Sequence, residues 1–247
     1  MNIRGLSSFL LTSIIVIGFG SGCVTNGRRV LLKEYGPSIA VQESSPLKGA
    51  TVCLSGFTCA PDLVNLEPPG KPIELAQFKY IERTQEQDKR WDAEMKALEK
   101  QTSKKDWHVI GNMRNGLGMV MSHVYALNDP ATWLLESLKF DLEAQGAKVV
   151  DSTEGAKADA MVSGTVQICR TDMYFVVNGT LVINLEVQPR IGASRKKQIH
   201  THGATAAMLA SDGEYFHALR DARQKFSILA MGEISECLKQ NRQAAER

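Results

Sequence analysis

Few residues in this chain have the type and spacing to do chemistry. His200 and His202 stand two apart in QIHTH, which puts both imidazoles on one face of a strand and offers two ligands to a metal such as zinc. No third ligand accompanies them at an informative spacing, so no metal is expected. GNMRNGLG, Gly111 to Gly118, is rich in glycine, but no Lys-Ser or Lys-Thr follows it as in a phosphate-cradling loop. Its spacing also fails the dinucleotide fingerprint, and it reads as a turn that needs positive backbone dihedrals. Cys59 in FTC and Cys237 lack a base placed to activate a thiolate. Carboxylates are scattered, with no distinctive pair. A chain that is not an enzyme and carries no cofactor is the expectation.

The other reactive position is Cys23, reached through GFGSGC. The residues before it have the three parts of an export signal: a basic end (Met1 to Arg4), an apolar stretch ending near Phe19, and the small residues Gly20, Ser21 and Gly22. The apolar stretch is shorter than the roughly 20 residues a transmembrane helix needs, so residues 1–22 read as a signal peptide. A thiol at this point resembles the lipobox of bacterial lipoproteins, whose cysteine is acylated and becomes the new N-terminus. Gly20 departs from that motif, which usually has an aliphatic residue there. The resemblance implies lipidation at Cys23 by several acyl chains, palmitate among them, which anchor stably where one chain is marginal. Val24 is not the Asp that resembles an inner-membrane retention signal. The outer membrane, periplasmic side, is therefore expected, with an inner-membrane or soluble periplasmic protein as the alternatives.

Export would place Cys53, Cys59, Cys169 and Cys237 in an oxidising compartment, where an even set of cysteines reads as disulfides. Three connectivities are open, and the local pair Cys53–Cys59 with Cys169–Cys237 is the weak preference. None of the four forms a CxxC pair of the kind that holds zinc. Lys plus Arg of 29 against Asp plus Glu of 27 leaves no broad basic field, which excludes a nucleic-acid partner.

The elements that must position these residues follow from periodicity and turn chemistry. Residues 23–47 are mixed and polar and read as a lipidated tether. ATVCLSGF, from Ala50, reads as a strand, and Pro61, Pro68, Pro69 and Pro72 mark a loop after it. From about Ile81 to Gln101 a charged helix is expected, with Trp91, Met95 and Leu98 as a narrow apolar stripe. Asp129 and Pro130 begin a second helix that carries Leu134, Leu138 and Leu142 on one face and stops at Gly146. AKVVD, DAMVSGTVQICR, TLVINLEVQ and QIHTHGATAAM read as strands, with a hairpin turn at Asn178-Gly179. Ser211 and Glu214 form a capping-box pattern ahead of a long C-terminal helix. The fold class is α+β: a largely antiparallel sheet with two main helices packed on one face, plus a charged helical insertion. Residues 48–240 form a single domain with the insertion at about 60–106, and 241–247 a polar tail.

WHVIGNMRNGLGMVMSHVYALNDPATWLLESLKFDLEAQGAKVV, Trp107 to Val150, resembles the segment of YajG-like bacterial lipoproteins in which a G-x-x-R-N-x-x-G loop precedes a helix and a strand. The layout also resembles auxiliary lipoproteins of envelope transport systems. The resemblance implies a small envelope lipoprotein, not a chemistry. Two classes of function follow. One is an accessory protein-binding subunit of an envelope assembly or transport complex, with Arg114 and Asn115 at the tip of the glycine-rich loop as partner-binding candidates. The other is a lipid- or cell-wall-binding module, in which Arg190, Arg195, Lys196 and Lys197 meet phosphate or another anion.

Overall fold

The structure, a computed structural model, describes residues 27–75, 79–114, 117–206 and 211–245. In chain order its elements are strands β1 (Arg28–Val30) and β2 (Thr51–Cys59), helix α1 (Gln85–Gln101), strands β3 (His108–Arg114) and β4 (Val120–Ala126), helix α2 (Pro130–Ala144), strands β5 (Lys148–Val150), β6 (Ala160–Tyr174), β7 (Val176–Pro189) and β8 (Arg195–Ala206), and helix α3 (Asp212–Ala245).

β6 is the spine of one open, mixed sheet. β7 pairs antiparallel along one edge, from Ala160 opposite Pro189 to Tyr174 opposite Val176, and β8 pairs antiparallel with β7. The other edge of β6 is shared between two parallel strands. β2 takes its first half, as far as Cys59 opposite Val166, and β3 its second, from Gly111 opposite Thr171. Residues 60–63 bridge this fork: Ala60 N–H donates to the Val166 carbonyl at 2.8 Å, and Cys169 N–H to that of Leu63 at 3.2 Å. β5 extends one branch, parallel to β2; β4 and then β1 extend the other. The α+β class holds. The long ladders are antiparallel, and the joins at the fork are parallel.

α2 and α3 cover one face. Asp129 accepts from the amides of Ala131 and Thr132, Pro130 fills the first helical position, and Gly146 (φ 84°) follows the end of the helix. Ala131, Trp133, Leu134, Leu138 and Leu142 are buried against the sheet. α3 crosses at Ala218, where Gly179 of β7 and Gly203 of β8 stand opposite each other. A Cβ on Gly179 would lie 2.4 Å, and one on Gly203 2.2 Å, from the Ala218 backbone. The two glycines thus let the helix lie against the strands. Asn178-Gly179 is therefore not the expected hairpin turn; the chain reverses at Phe175, in the left-handed region at φ 68°.

Two further expectations are corrected, at residues 27–47 and at the C-terminal end, while the stripe of α1 packs as such stripes usually do. Residues 27–47 are not a tether but part of the packed domain, with Val30, Leu31, Leu32, Ile39 and Leu47 buried. Val30, Leu31 and Leu32 are buried consecutively and Ile39 and Leu47 at wide spacing, so the segment shows neither a helical nor a strand period. The apolar stripe of α1 is used internally: Trp91 Nε1 donates to the Leu31 carbonyl at 2.7 Å, and its ring lies 5.5 Å from that of Phe216. α3 continues to Ala245, so 241–245 are helical and not a tail.

A buried ionic cluster fastens these parts together. Arg223 of α3 meets Asp141 of α2 at 2.6 Å and Glu34 at 3.5 Å, while Arg220 meets Glu34 at 3.0 Å. Asp141 also accepts from Ser38 N–H at 2.8 Å, and the Ser38 hydroxyl accepts from Arg223. Two guanidinium groups are matched by two carboxylates, so the cluster is neutral. That pairing is the condition under which burial of ions is tolerated.

Candidate functional site

Cys23 and Asn115 lie outside the described residues. Arg114 is exposed at the end of β3, its Nη1 donating to the Gly118 carbonyl at 3.0 Å. Gly111 to Gly118 is not one loop leading into a helix. Gly111 to Arg114 belong to β3, and β4 intervenes before α2. Gly111 permits close strand approach, since a Cβ there would lie 1.6 Å from the Thr171 carbonyl oxygen. Gly118 instead supplies a positive φ of 79°.

Cys53, Cys59, Cys169 and Cys237 are free thiols, against the expected disulfides. A bulge in β2 between Leu54 and Gly56 turns Cys53 and Cys59 to opposite faces. Cys53 Sγ donates to the Asp151 carbonyl, and Cys59 Sγ to Asp129 at the start of α2. The six residue steps from Cys53 to Cys59 span about 20 Å of strand, while disulfide Cα atoms stand roughly 4.4–6.8 Å apart. Cys169 is two residues from Thr171, whose partner Gly179 lies under Ala218. Cys237 is about 28 Å further along α3 than Ala218. Burial pushes all four thiols up, Cys59 to about 12 with Asp129 adding to the shift. They are protonated at neutral pH and poor nucleophiles.

The basic turn is largely neutralised. Arg195 and Lys197 share Glu233 of α3 at 3.0 and 2.5 Å, and Lys196 meets Glu186 of β7 at 3.4 Å. His200 and His202 follow on β8, and burial lowers the pKa of both. Among the described residues no group of three His, Cys, Asp or Glu side chains could hold a metal ion.

Three of the remaining surfaces among the described residues carry groups suited to meeting a partner. Residues 60–75 pass over the sheet from β6 to β8 as a roof. Arg170 Nη1 donates to the Val64 carbonyl at 3.1 Å, and Ile73 N–H to that of His200 at 2.9 Å. Beyond the roof lies an open groove of about 520 Å³ lined by Thr58, Ser163, Thr165, Asn184, Lys196 and Gln198. These hydroxyls and amides suit hydrogen bonding to a partner. A second hollow, about 450 Å³, opens at the fork with Asp62, Trp107, His108, Asn112 and His123 on its walls.

The third surface is the end of the sheet where β6 turns into β7. The parallel pairing of β3 with β6 sets the β3–β4 and β6–β7 hairpins side by side. Their tips expose Leu117 (83 %), Phe175 (72 %) and Met119 (56 %), with Val120, Met121 and Val176 beside them. Sequence reading missed this cluster. Its signal was present in LGMVM and YFVV, turn segments without the polar residues that turns usually carry.

No protein-family model matches the chain, and no curated protein sequence matches it. Among solved structures it is similar to protein XCC0632 from Xanthomonas campestris, of family model DUF330. The two are 14% identical with a TM-score of 0.48, over 85% of this chain and 98% of that one. Hypothetical protein CT253 from Chlamydia trachomatis is 8% identical, with a TM-score of 0.31 over 76% of this chain and 97% of that one. Lipoprotein GNA1162 from Neisseria meningitidis is 10% identical, with a TM-score of 0.26 over 51% and 93%. Among the described residues no helix is long and apolar enough to cross a membrane.

Proposed function

We propose that this chain is a bacterial envelope lipoprotein, held through acylated Cys23 at the periplasmic side of the outer membrane, and that its domain is a non-enzymatic, protein-binding accessory subunit of an envelope assembly or transport complex. The observation that carries the reading is the export-type N-terminus closing on Cys23, four residues before Gly27, the first of the described residues, which lies against β4. Two features support the absence of catalysis: the thiols are held protonated, and the most buried carboxylates are consumed in structural ion pairs. The open groove around Ser163, Thr165 and Asn184 is the surface we assign to the protein partner, since it carries hydrogen-bonding groups on a rigid sheet. The basic turn offers an anion little, because Glu233 and Glu186 already occupy three of its four cations.

Intact mass and membrane fractionation of wild type and Cys23→Ser test the anchor. The wild type is expected to carry acyl mass and sediment with membranes, and the variant to be released; an unmodified Cys23 with both forms soluble refutes it. Affinity purification from solubilised membranes should recover a stoichiometric protein that Ser163→Arg with Thr165→Arg fails to capture.

A further inference from the structure

The end of the sheet that carries the apolar hairpin tips is also the end from which the chain leaves toward Cys23. β4 runs away from the β3–β4 tip, and β1 lies parallel to it, with Arg28 opposite Val124 and Val30 opposite Ala126. Traced backward from Arg28, the chain therefore heads toward the tip. Gly27 already lies against β4, where a Cβ would meet the His123 carbonyl at 2.5 Å. Cys23 is four residues further back, a reach of at most about 14 Å. From His123 to Val120, where the tip begins, is about 10 Å of strand. Acyl chains on Cys23 would thus be confined close to Leu117, Met119, Met121, Phe175 and Val176.

We infer that these two hairpin tips rest in the membrane surface to which Cys23 is attached, so that the domain stands on its β3–β4 and β6–β7 turns. The inference rests on lipidation of Cys23, and the composition of the tips fits a lipid surface. From Trp107 to Leu127 the chain has no Asp or Glu, and from Met173 to Gly179 it has no charged residue. Large apolar side chains exposed on uncharged turns gain by leaving water for the acyl boundary. Arg114, at the base of the first tip, is placed to meet headgroup phosphate, as basic residues beside a membrane do. The opposite end of the sheet, at Pro189 and Ile191, is set away from the bilayer, and the polar groove opens toward that end.

The test uses the mature protein carrying Phe175→Trp or, at the far end, Ile191→Trp, mixed with phosphatidylethanolamine–phosphatidylglycerol vesicles whose acyl chains are brominated. Trp91 and Trp133 are buried, and Trp107 lies at the start of β3 away from the tip, so the native emission is a stable background. Trp at 175 is expected to shift to the blue and lose most of its emission to the bromolipid, while Trp at 191 behaves as in solution. Leu117→Asp with Met119→Asp should abolish that quenching. With acylated Cys23 confirmed by mass, unquenched Trp at 175, or quenching at 191 instead, overturns the inference and leaves the anchor intact. A blue-shifted but unquenched Trp at 175 in an oligomeric chain would assign the tips to a second copy and also overturn it. If Cys23 proves unmodified, quenching at 175 supports the membrane surface without the anchor, and no quenching removes both.

Discussion

Arg220, Arg223, Glu34 and Asp141 are shielded from water, whereas Leu117, Met119 and Phe175 are open to it. The usual assignment of residue types is reversed in both regions, and for different physical reasons. The charges lie at the junction of α2, α3 and the segment before β2, where each is matched and hydrogen-bonded, so their burial fixes the relative positions of those parts. The apolar tips lie at the end of the sheet, exposed. Large exposed apolar clusters are unusual in a soluble domain and mark surfaces that meet something else. One region holds the fold, and the other is spared from that task.

Breaking the first region should have the largest effect. Arg223→Ala or Asp141→Ala strands a buried charge and is expected to lower stability by about 3–5 kcal/mol in urea denaturation. Arg223→Met combined with Asp141→Leu should recover most of that loss, because no unpaired ion remains. A next, smaller effect is expected at the fork. Gly111→Ala drives a methyl into the Thr171 carbonyl and should cost about 1–3 kcal/mol as β3 shifts from β6.

A pH dependence comes from α3 at His217, an exposed residue whose imidazole is only partly desolvated. His217 is depressed by burial first and then by the nearby Arg83, with Asp88 opposing. The unfolded chain therefore binds a proton at a pH where the folded one does not. The stability linked to neutral His217 is complete above about pH 6.5 and falls as pH drops through and below that value. Denaturation at pH 7.5 and 5.5 should show the loss, and His217→Gln should reduce it. The smallest stability effect belongs to the exposed end: Leu117→Ser with Phe175→Ser is expected to stay within about ±0.5 kcal/mol of wild type, as isolated surface changes do. A loss comparable to that of Arg223→Ala would erase the distinction between the two regions.

The helices were legible in the sequence because each carries its own signals. Asp129-Pro130 and Gly146 bound α2, and the Trp91, Met95 and Leu98 stripe marked α1, although the Thr84–Gln87 capping box that starts it at Gln85 was passed over. β3 and β4 were hidden because HVIGNMR and VMSHVYA alternate poorly. Neither has the clean polar-apolar period of a half-buried strand, since one end of each leaves the core for the exposed tip. Gly179 misled for a related reason: Asn-Gly is a turn signal by local chemistry, but here the missing Cβ serves a helix that arrives from far along the chain. The cysteines show the same limit. Even count and export suggest pairing, whereas a single bulge at Ser55 decides which faces Cys53 and Cys59 occupy. Of the candidate site, the sequence singled out Cys23, which lies outside the described residues, and Arg114, which is exposed beside Gly118. The apolar tips were not legible, because the parallel pairing that joins two hairpins distant in sequence has no local signature.

The central claim is that the anchored end and the apolar end are one. Amide hydrogen exchange of the mature chain on vesicles, compared with Cys23→Ser in solution, tests it most directly. Residues 117–121 and 174–177 are expected to slow on the membrane while 190–197, at the opposite end of the sheet, exchange unchanged. Protection at 190–197, or equal exchange at both ends on and off the membrane, would contradict it.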